Sequence, residues 1–293
     1  MGRDLAQAFE PARRTFEEAD ECLGMALSSL CFEGPAETLA RTEHAQPALL
    51  ATSVAVYRVL EETTGIAPRV LAGHSLGEWS ALVVAGALAF GDALHGVRER
   101  GRAMQEAVPV GVGAMAAIVG LDGATLGQLC EAAAEGEVVA PANLNGGGQI
   151  VVAGHAGAVD RLVRLAGERG ARALRLDVSA PFHCALMAPA AAAVGRFLDG
   201  IAVREPRLPV VTSVEARLVR DPADVAALLV EQVTAPVRWE DTMNALRAFE
   251  PTAAVELGPG TVLTGLARRV WPELRCQAVG GVAAVERARE ALT

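Results

Sequence analysis

The sequence predicts an α/β protein in which a small subdomain interrupts a larger one. Three observations carry this. The hydrophobic fraction is 52%, dominated by Ala, Val and Leu, with only 4% aromatics, a balance that suits helices packed on strands better than a β-sandwich. Short apolar runs alternate with helical stretches over most of the chain. A central stretch breaks that alternation with two strands in succession. The 293 residues are enough to bury a core of this size.

The elements follow in order. From Asp4 to about Leu60 the spacing is helical, with Leu5, Ala8 and Phe9, then Phe16, Ala19 and Leu23, recurring on one face and a break near Gly34-Pro35. Pro68 opens the apolar run Val70-Leu71-Ala72, which stops at Gly73 and precedes a helix from about Glu78 to Leu88. Asp92 is placed to cap the next helix, which runs to about Ala107 before Pro109, Gly111 and Gly113. Then come a strand (114–119), a helix (124–134), strands at 138–143 and 149–153, a helix (156–166) and a strand (171–178). This β-α-β-β-α-β order is that of a ferredoxin-like unit. A helix at 223–232, a strand at 253–257 and the Gly258-Pro259-Gly260 turn return the chain to longer α/β segments. The division expected is a discontinuous large domain, 1–110 and 179–293, holding a small subdomain at 111–178.

Charge narrows the function. Lys and Arg total 26 against 35 Asp and Glu, a net charge of -9, which argues against nucleic acid as a partner and means that an anionic substrate needs a local basic site. The five cysteines, Cys22, Cys31, Cys130, Cys184 and Cys276, are scattered without a CxxC pair, so reduced thiols in the cytoplasm are expected. The longest apolar run, Ala81 to Phe90, is too short to span a bilayer, and Arg3 and Asp4 replace an apolar signal core. Neither a membrane segment nor export is expected.

Gly73-His74-Ser75-Leu76-Gly77 has the G-x-S-x-G form and lies between a predicted strand and a predicted helix. Glycines there permit a turn tight enough to raise Ser75 to its apex, and the Leu76 N–H at the helix start can face a developing oxyanion. The serine needs a base. Among the five histidines, His74 adjoins the nucleophile, His44 and His95 lie in helical stretches, and His155 ends a strand. His183, in Ser179-Ala180-Pro181-Phe182-His183-Cys184, follows a predicted strand in a loop stiffened by Pro181. On these grounds alone an ordinary loop histidine is the better reading. Of the crowded Arg98, Arg100 and Arg102, Arg100 falls on the apolar stripe with Ala93, Val97 and Met104. A guanidinium there costs several kcal/mol unless an anion meets it, and either a substrate carboxylate or a structural Glu or Asp could serve.

With these residues in view, the sequence resembles the malonyl-CoA:acyl-carrier-protein transacylases of fatty-acid synthesis and their relatives, the acyltransferase domains of polyketide synthases. The matching segments are Gln46-Pro47-Ala48-Leu49, Gly73 to Glu78, Arg100-Gly101 with Met104-Gln105, Asn143-Leu144-Asn145 with Gln149, Ala180-Pro181-Phe182-His183, and Gly258-Pro259-Gly260. The resemblance implies an α/β-hydrolase-like large domain with the ferredoxin-like insert. It implies transfer of malonyl from malonyl-CoA to the phosphopantetheine thiol of acyl carrier protein through a malonyl-serine, in a ping-pong cycle. Ser75 is then the nucleophile, His183 the base, the Leu76 N–H an oxyanion donor and Arg100 the partner of the malonyl carboxylate. The backbone carbonyl of Gln232 orients the base, and His74, Met104, Asn143, Asn145 and Phe182 line the substrate pocket. Phe182 matches the malonyl rather than the methylmalonyl type, a discrimination of one methyl worth about 1–3 kcal/mol.

No cofactor or metal is implied, and a cytoplasmic monomer is expected. Family members also carry an apolar strand and a Gly-Gln-Gly-Ser-Gln loop before the segment matching Met1-Gly2-Arg3-Asp4. The native start is therefore expected upstream, because losing one oxyanion donor typically costs about 10²- to 10³-fold in rate and losing the strand opens a sheet edge. The competing readings are a trans-acting acyltransferase of polyketide synthesis, a serine hydrolase or thioesterase, and a non-catalytic scaffold.

Overall fold

Helices come first because the early sequence has helical periodicity and little else. In the computed structural model, which describes residues 1–292 with side chains to Glu290, α1 (Arg3–Ala8), α2 (Glu10–Leu23), α3 (Leu27–Glu33), α4 (Ala36–Ala40) and α5 (Thr42–Thr64) precede any strand. The stripe Ala12, Phe16, Ala19 and Leu23 of α2 is buried against the core, and Gly24 ends the helix in the left-handed conformation.

β1 (Leu71–Ala72), α6 (Leu76–Val84) and α7 (Phe90–Glu106) follow. The helix after β1 starts two residues before the expected Glu78, because the strand is short and Ser75 itself takes the N-cap. Asp92 does not cap α7: Ala89 occupies that position and Asp92 lies in the first turn, where its charge still complements the helix dipole. At Gly101 a side chain would collide with the Thr42 carbonyl. Its absence lets α7 lie close on α5, which fixes the depth at which Arg100 sits.

β2 (Gly113–Val119), α8 (Gly123–Ala134), β3 (Val139–Gly146), β4 (Gln149–His155), α9 (Ala156–Glu168) and β5 (Arg172–Arg175) build an antiparallel sheet of order β3-β4-β2-β5. That is the ferredoxin-like topology. One face, with Ala116, Ile118 and Val152, packs on Leu126, Leu129, Val159 and Leu162 of the two helices. The opposite face, with Met115, Ala142, Val151 and Ala153, packs on Cys184, Phe182 and Leu186. The second face thus seats the loop that carries His183.

The rest comprises α10 (Ala188–Leu198), β6 (Val210–Val211), β7 (Leu218–Val219), α11 (Pro222–Glu231), α12 (Trp239–Leu246), β8 (Ala253–Leu257), α13 (Val262–Val270), β9 (Arg275–Val279) and α14 (Val282–Leu292). β1 pairs in parallel with β6, Leu71 opposite Val210, and β6 is antiparallel to β7. β8 and β9 pair in parallel from Ala253–Arg275 to Leu257–Val279. The main core lies between these strands and α2, α5, α6, α7 and α10, with Phe16, Leu50, Trp79, Leu82 and Leu94 fully buried. Each such side chain contributes about 1.5–3 kcal/mol of burial. Gly96 makes room for the Trp79 and Phe197 rings. The molecule is an α/β fold with a ferredoxin-like subdomain. Among the described residues no helix is long and apolar enough to cross a membrane.

Candidate active site

Ser75 sits at φ 52°, ψ -111° between β1 and α6, a backbone conformation that costs a non-glycine residue of order 1–3 kcal/mol and that clusters at functional sites. The turn is possible because a side chain at Gly73 would overlap the Gly77 and Glu78 backbone. Ser75 Oγ lies 2.7 Å from His183 Nε2, and His183 Nδ1 lies 2.8 Å from the Gln232 carbonyl. A carbonyl only accepts, so Nδ1 carries the hydrogen and Nε2 is left to accept from the serine hydroxyl. His183 is itself at φ 60° and is buried. Burial, and then the nearby Arg100 cation, hold its pKa down at about 3, so the ring is neutral at neutral pH and free to take a proton.

Arg100 comes from the apolar stripe of α7 and is 2% exposed. Its Nη1 donates to Gln46 Oε1 at 2.7 Å, and its Nη2 donates to Ser75 Oγ at 3.0 Å and to Gln232 Oε1 at 3.1 Å. The Nε–H is buried without a partner. Among the described residues no carboxylate lies within ion-pair distance of it; the nearest acid, Glu78, acts on it electrostatically across the Gln232 amide. Burial pulls its pKa to about 10, so it stays cationic. A buried cation with neutral acceptors and a spare donor is a site for an anion. It lies against the nucleophile, with Nη2 at 3.0 Å from Ser75 Oγ.

The Leu76 N–H is the first of α6 and has no partner within the helix. As a free donor at a helix start, next in the chain to the serine, it is available to a nearby negative charge. His74 turns away from the serine: its Nε2 is 3.0 Å from Asn145 Oδ1, its ring lies 5.5 Å from that of Trp239, and burial lowers its pKa. It ties the β3 end to the elbow and does not compete as base. Asn145 Nδ2 donates to Gln149 Oε1 at 3.3 Å. Asn143 is buried beside the Val237 backbone. Met104 is buried, its sulfur accepting from Gln46 Nε2 at 3.8 Å. Phe182 is half-buried between the main core and the small sheet.

The nominated residues therefore divide into two groups. Ser75, His183, Arg100, Leu76 and Gln232 converge directly. Met104 reaches the site through Gln46, and Asn145 through His74. Sequence reasoning gave no role to Gln46, Glu78 or Ser213. Gln46 and Glu78 stood in matched motifs, whereas nothing in the sequence marked Ser213. No group of three or more His, Cys, Asp or Glu able to hold a metal occurs among the described residues.

A strained serine at a strand-to-helix turn, a neutral histidine and a helix-start N–H define a serine-dependent acyl-transfer centre. The profile of the acyl transferase domain family matches residues 1–284, and the chain belongs to that family. The malonyl CoA-acyl carrier protein transacylase of Bacillus subtilis (strain 168) is 48% identical over 294 residues, covering 100% of this chain and 92% of that protein. The protein of the same name from Escherichia coli (strain K12) is 46% identical, covering 99% of this chain and 94% of its own length. Among solved structures, the malonyl CoA-acyl carrier protein transacylase from Coxiella burnetii superposes with a TM-score of 0.97 at 40% identity, covering 100% of this chain and 93% of that one. A malonyl-transacylase solved in complex with a type II polyketide acyl-carrier protein superposes at 0.95 with 45% identity, covering 98% and 94%.

Proposed function

We infer that this chain transfers a malonyl group from malonyl-CoA to the phosphopantetheine thiol of acyl carrier protein, the reaction that supplies fatty-acid synthesis. The observation that supports the acyl group's identity is the buried Arg100 guanidinium 3.0 Å from Ser75 Oγ, with a spare Nε–H and no carboxylate within ion-pair distance among the described residues. An acyl chain ending in a carboxylate satisfies it, and an acetyl group does not.

The roles follow from the geometry. Ser75 Oγ gives its proton to His183 Nε2 and attacks the thioester carbonyl, whose oxygen takes up the electron pair beside the Leu76 N–H. Collapse breaks the carbon–sulfur bond, and the coenzyme A sulfur leaves with the proton from His183. A malonyl ester on Ser75 remains. In the second half the carrier's thiol gives its proton to His183 and attacks the ester, and Ser75 Oγ departs with that proton. The Gln232 carbonyl holds the imidazole hydrogen on Nδ1 throughout. Every proton and acyl movement is thus between this chain and its two substrates.

Finer readings rest on the same frame. Phe182 narrows the pocket and favours malonyl over methylmalonyl. His74, Met104, Asn143 and Asn145 shape its wall. Residues 1–110 with 179–293 form the catalytic body and 111–178 the insert, a division supported by the separate apolar cluster of the latter. The site groups named above all come from one chain, which supports a monomer, and the free cysteines fit a reducing cytoplasm. The solved complex with a polyketide carrier supports a second carrier class for the same chemistry.

Intact mass after mixing with malonyl-CoA is the test, with acetyl-CoA as control. A malonyl adduct is expected that Ser75→Ala abolishes and that discharges onto acyl carrier protein. Discharge to water before any thiol is added would make the enzyme a hydrolase, and no adduct from this chain or from a version extended upstream would refute the transferase. Parallel discharge onto fatty-acid and polyketide carriers separates the two pathways.

A further inference from the structure

Glu78 is a carboxyl group 1% exposed on α6, three residues beyond the nucleophile. No cation lies within ion-pair distance of it among the described residues, although the Arg100 charge acts on it through the intervening Gln232 amide. Its Oε2 accepts three hydrogen bonds: from the Ser213 N–H at 3.0 Å, from Ser213 Oγ at 2.6 Å and from Gln232 Nε2 at 2.8 Å. A buried acid this well satisfied has been placed for a reason beyond packing, and its third donor leads back to the active site.

The Gln232 side chain is fully buried between an acceptor and a donor. Arg100 has only N–H groups to offer, so the amide atom facing it must be the oxygen, and the atom facing Glu78 must be the nitrogen. Glu78 thereby sets the direction of the amide, whose Oε1 takes Arg100 Nη2 at 3.1 Å. The same nitrogen also reaches the Ser75 carbonyl at 3.2 Å, beside the Glu78 main-chain N–H at 3.1 Å. A trans peptide points its C=O and N–H in opposite directions. Anchoring the Ser75 carbonyl therefore aims the Leu76 N–H outward, to where the oxyanion forms. The Gln232 main chain meanwhile holds His183.

We propose that Glu78 is a positioning residue which, through the Gln232 amide, fixes the directions of the Arg100 guanidinium and the Leu76 N–H. Burial pushes the Glu78 carboxyl up, but a neutral carboxyl with its proton on Oε1 accepts at Oε2 as an anion does. The role requires an acceptor and not a charge. The inference rests on the malonyl-transfer reading, since Arg100 matters only if the acyl group carries a carboxylate.

The test compares Ser75 loading from malonyl-CoA and acetyl-CoA, read by intact mass against time. Glu78→Met removes the acceptor at similar volume. Malonyl loading is expected to fall about 10²-fold, as leaving buried donors unpaired implies, with a smaller fall for acetyl, so that the malonyl-to-acetyl ratio drops about tenfold. Glu78→Gln, which keeps an oxygen in the same place, is expected to restore most of the loss. A merely structural role would lower the melting temperature and leave the ratio unchanged. Should Glu78→Met fail to fold, Gln232→Met retains the main-chain carbonyl for His183 and removes the amide. It is expected to lower the ratio by a similar factor, and Glu78→Gln is expected to add nothing to it in the double variant. A folded Glu78→Met or Gln232→Met with the wild-type ratio overturns the proposal. Failure of the wild-type chain to load malonyl would instead refute the reading beneath it.

Discussion

Arg100 and Arg102 stand two residues apart on α7 and live in opposite environments. Arg102 is half-exposed and held by two carboxylates of its own helix, Glu99 at 2.7 Å and Glu106 at 2.8 Å. Arg100 is buried, has three neutral acceptors and no carboxylate. Two residues turn a helix by about 200°, so neighbours of identical chemistry fall on opposite faces. On the outer face an arginine finds carboxylates by ordinary i±3 and i±4 spacing and gains little from them. On the inner face it is desolvated with no carboxylate in ion-pair contact, and only Glu78, behind the Gln232 amide, acts on it electrostatically. The local pairing explains one residue, and the missing contact pair is what supports the carboxylate-binding role proposed for the other.

The contrast breaks most visibly at Arg100. Arg100→Ala is expected to lower malonyl loading of Ser75 by about 10²- to 10³-fold, the scale of losing one partner of a buried charge-assisted pair, with a smaller fall for acetyl. Rapid-quench loading with both thioesters measures this. Equal losses for the two would show that Arg100 serves the fold or the serine and not the carboxylate.

The pH dependence sharpens it. His183 must be neutral to accept the serine proton, and with a pKa held at about 3 it stays so well below neutral pH. Acetyl loading by the wild-type chain is therefore expected to be flat from pH 8 down to about 5. Removing the Arg100 cation lessens the penalty on the imidazolium, so in Arg100→Met the His183 pKa rises. Burial, the larger cause, remains, and the rise is partial. The acid limb of acetyl loading should move up toward the ordinary histidine range. Stability carries the same sign: the unfolded chain takes up the proton near pH 6.5 and the folded chain does not, so stability falls as pH drops from 6.5 toward 3. The variant should lose less over that window. An unmoved acid limb would separate the two groups electrostatically.

Arg100 was legible in the sequence because a helix face is a local property. So was Ser75, since the strand, the turn glycines and the helix start lie within a dozen residues. His183 was legible only through family resemblance: a loop histidine has no periodicity to mark it, and its partner Gln232 is 49 residues away. Glu78 stood in a matched motif without a role, and its partner Ser213, 135 residues away, left no pattern at all. Even the local reading erred where tertiary contacts decide. The strand expected at 171–178 is assigned as Arg172–Arg175, with the Leu176 N–H still bonded to Met115 before the chain leaves for the His183 loop. Elements are written in propensity and period, whereas the amide relay behind the site is written in contacts between distant segments.

Two smaller effects complete the contrast. Gln46→Leu removes the acceptor of Arg100 Nη1 and the donor to Met104 while leaving the cation in place. Malonyl loading is expected to fall about tenfold, the scale of one hydrogen bond to a charged group, and the malonyl-to-acetyl ratio should fall with it. At the far end, Arg102→Ala breaks both ion pairs of the outer face and should leave loading with either thioester unchanged. Its melting temperature should also become less dependent on salt than that of the wild type, because exposed pairs are screened. A loss of malonyl loading in Arg102→Ala would mean that the two faces of α7 are coupled, and that the buried guanidinium depends on charge the helix carries outside.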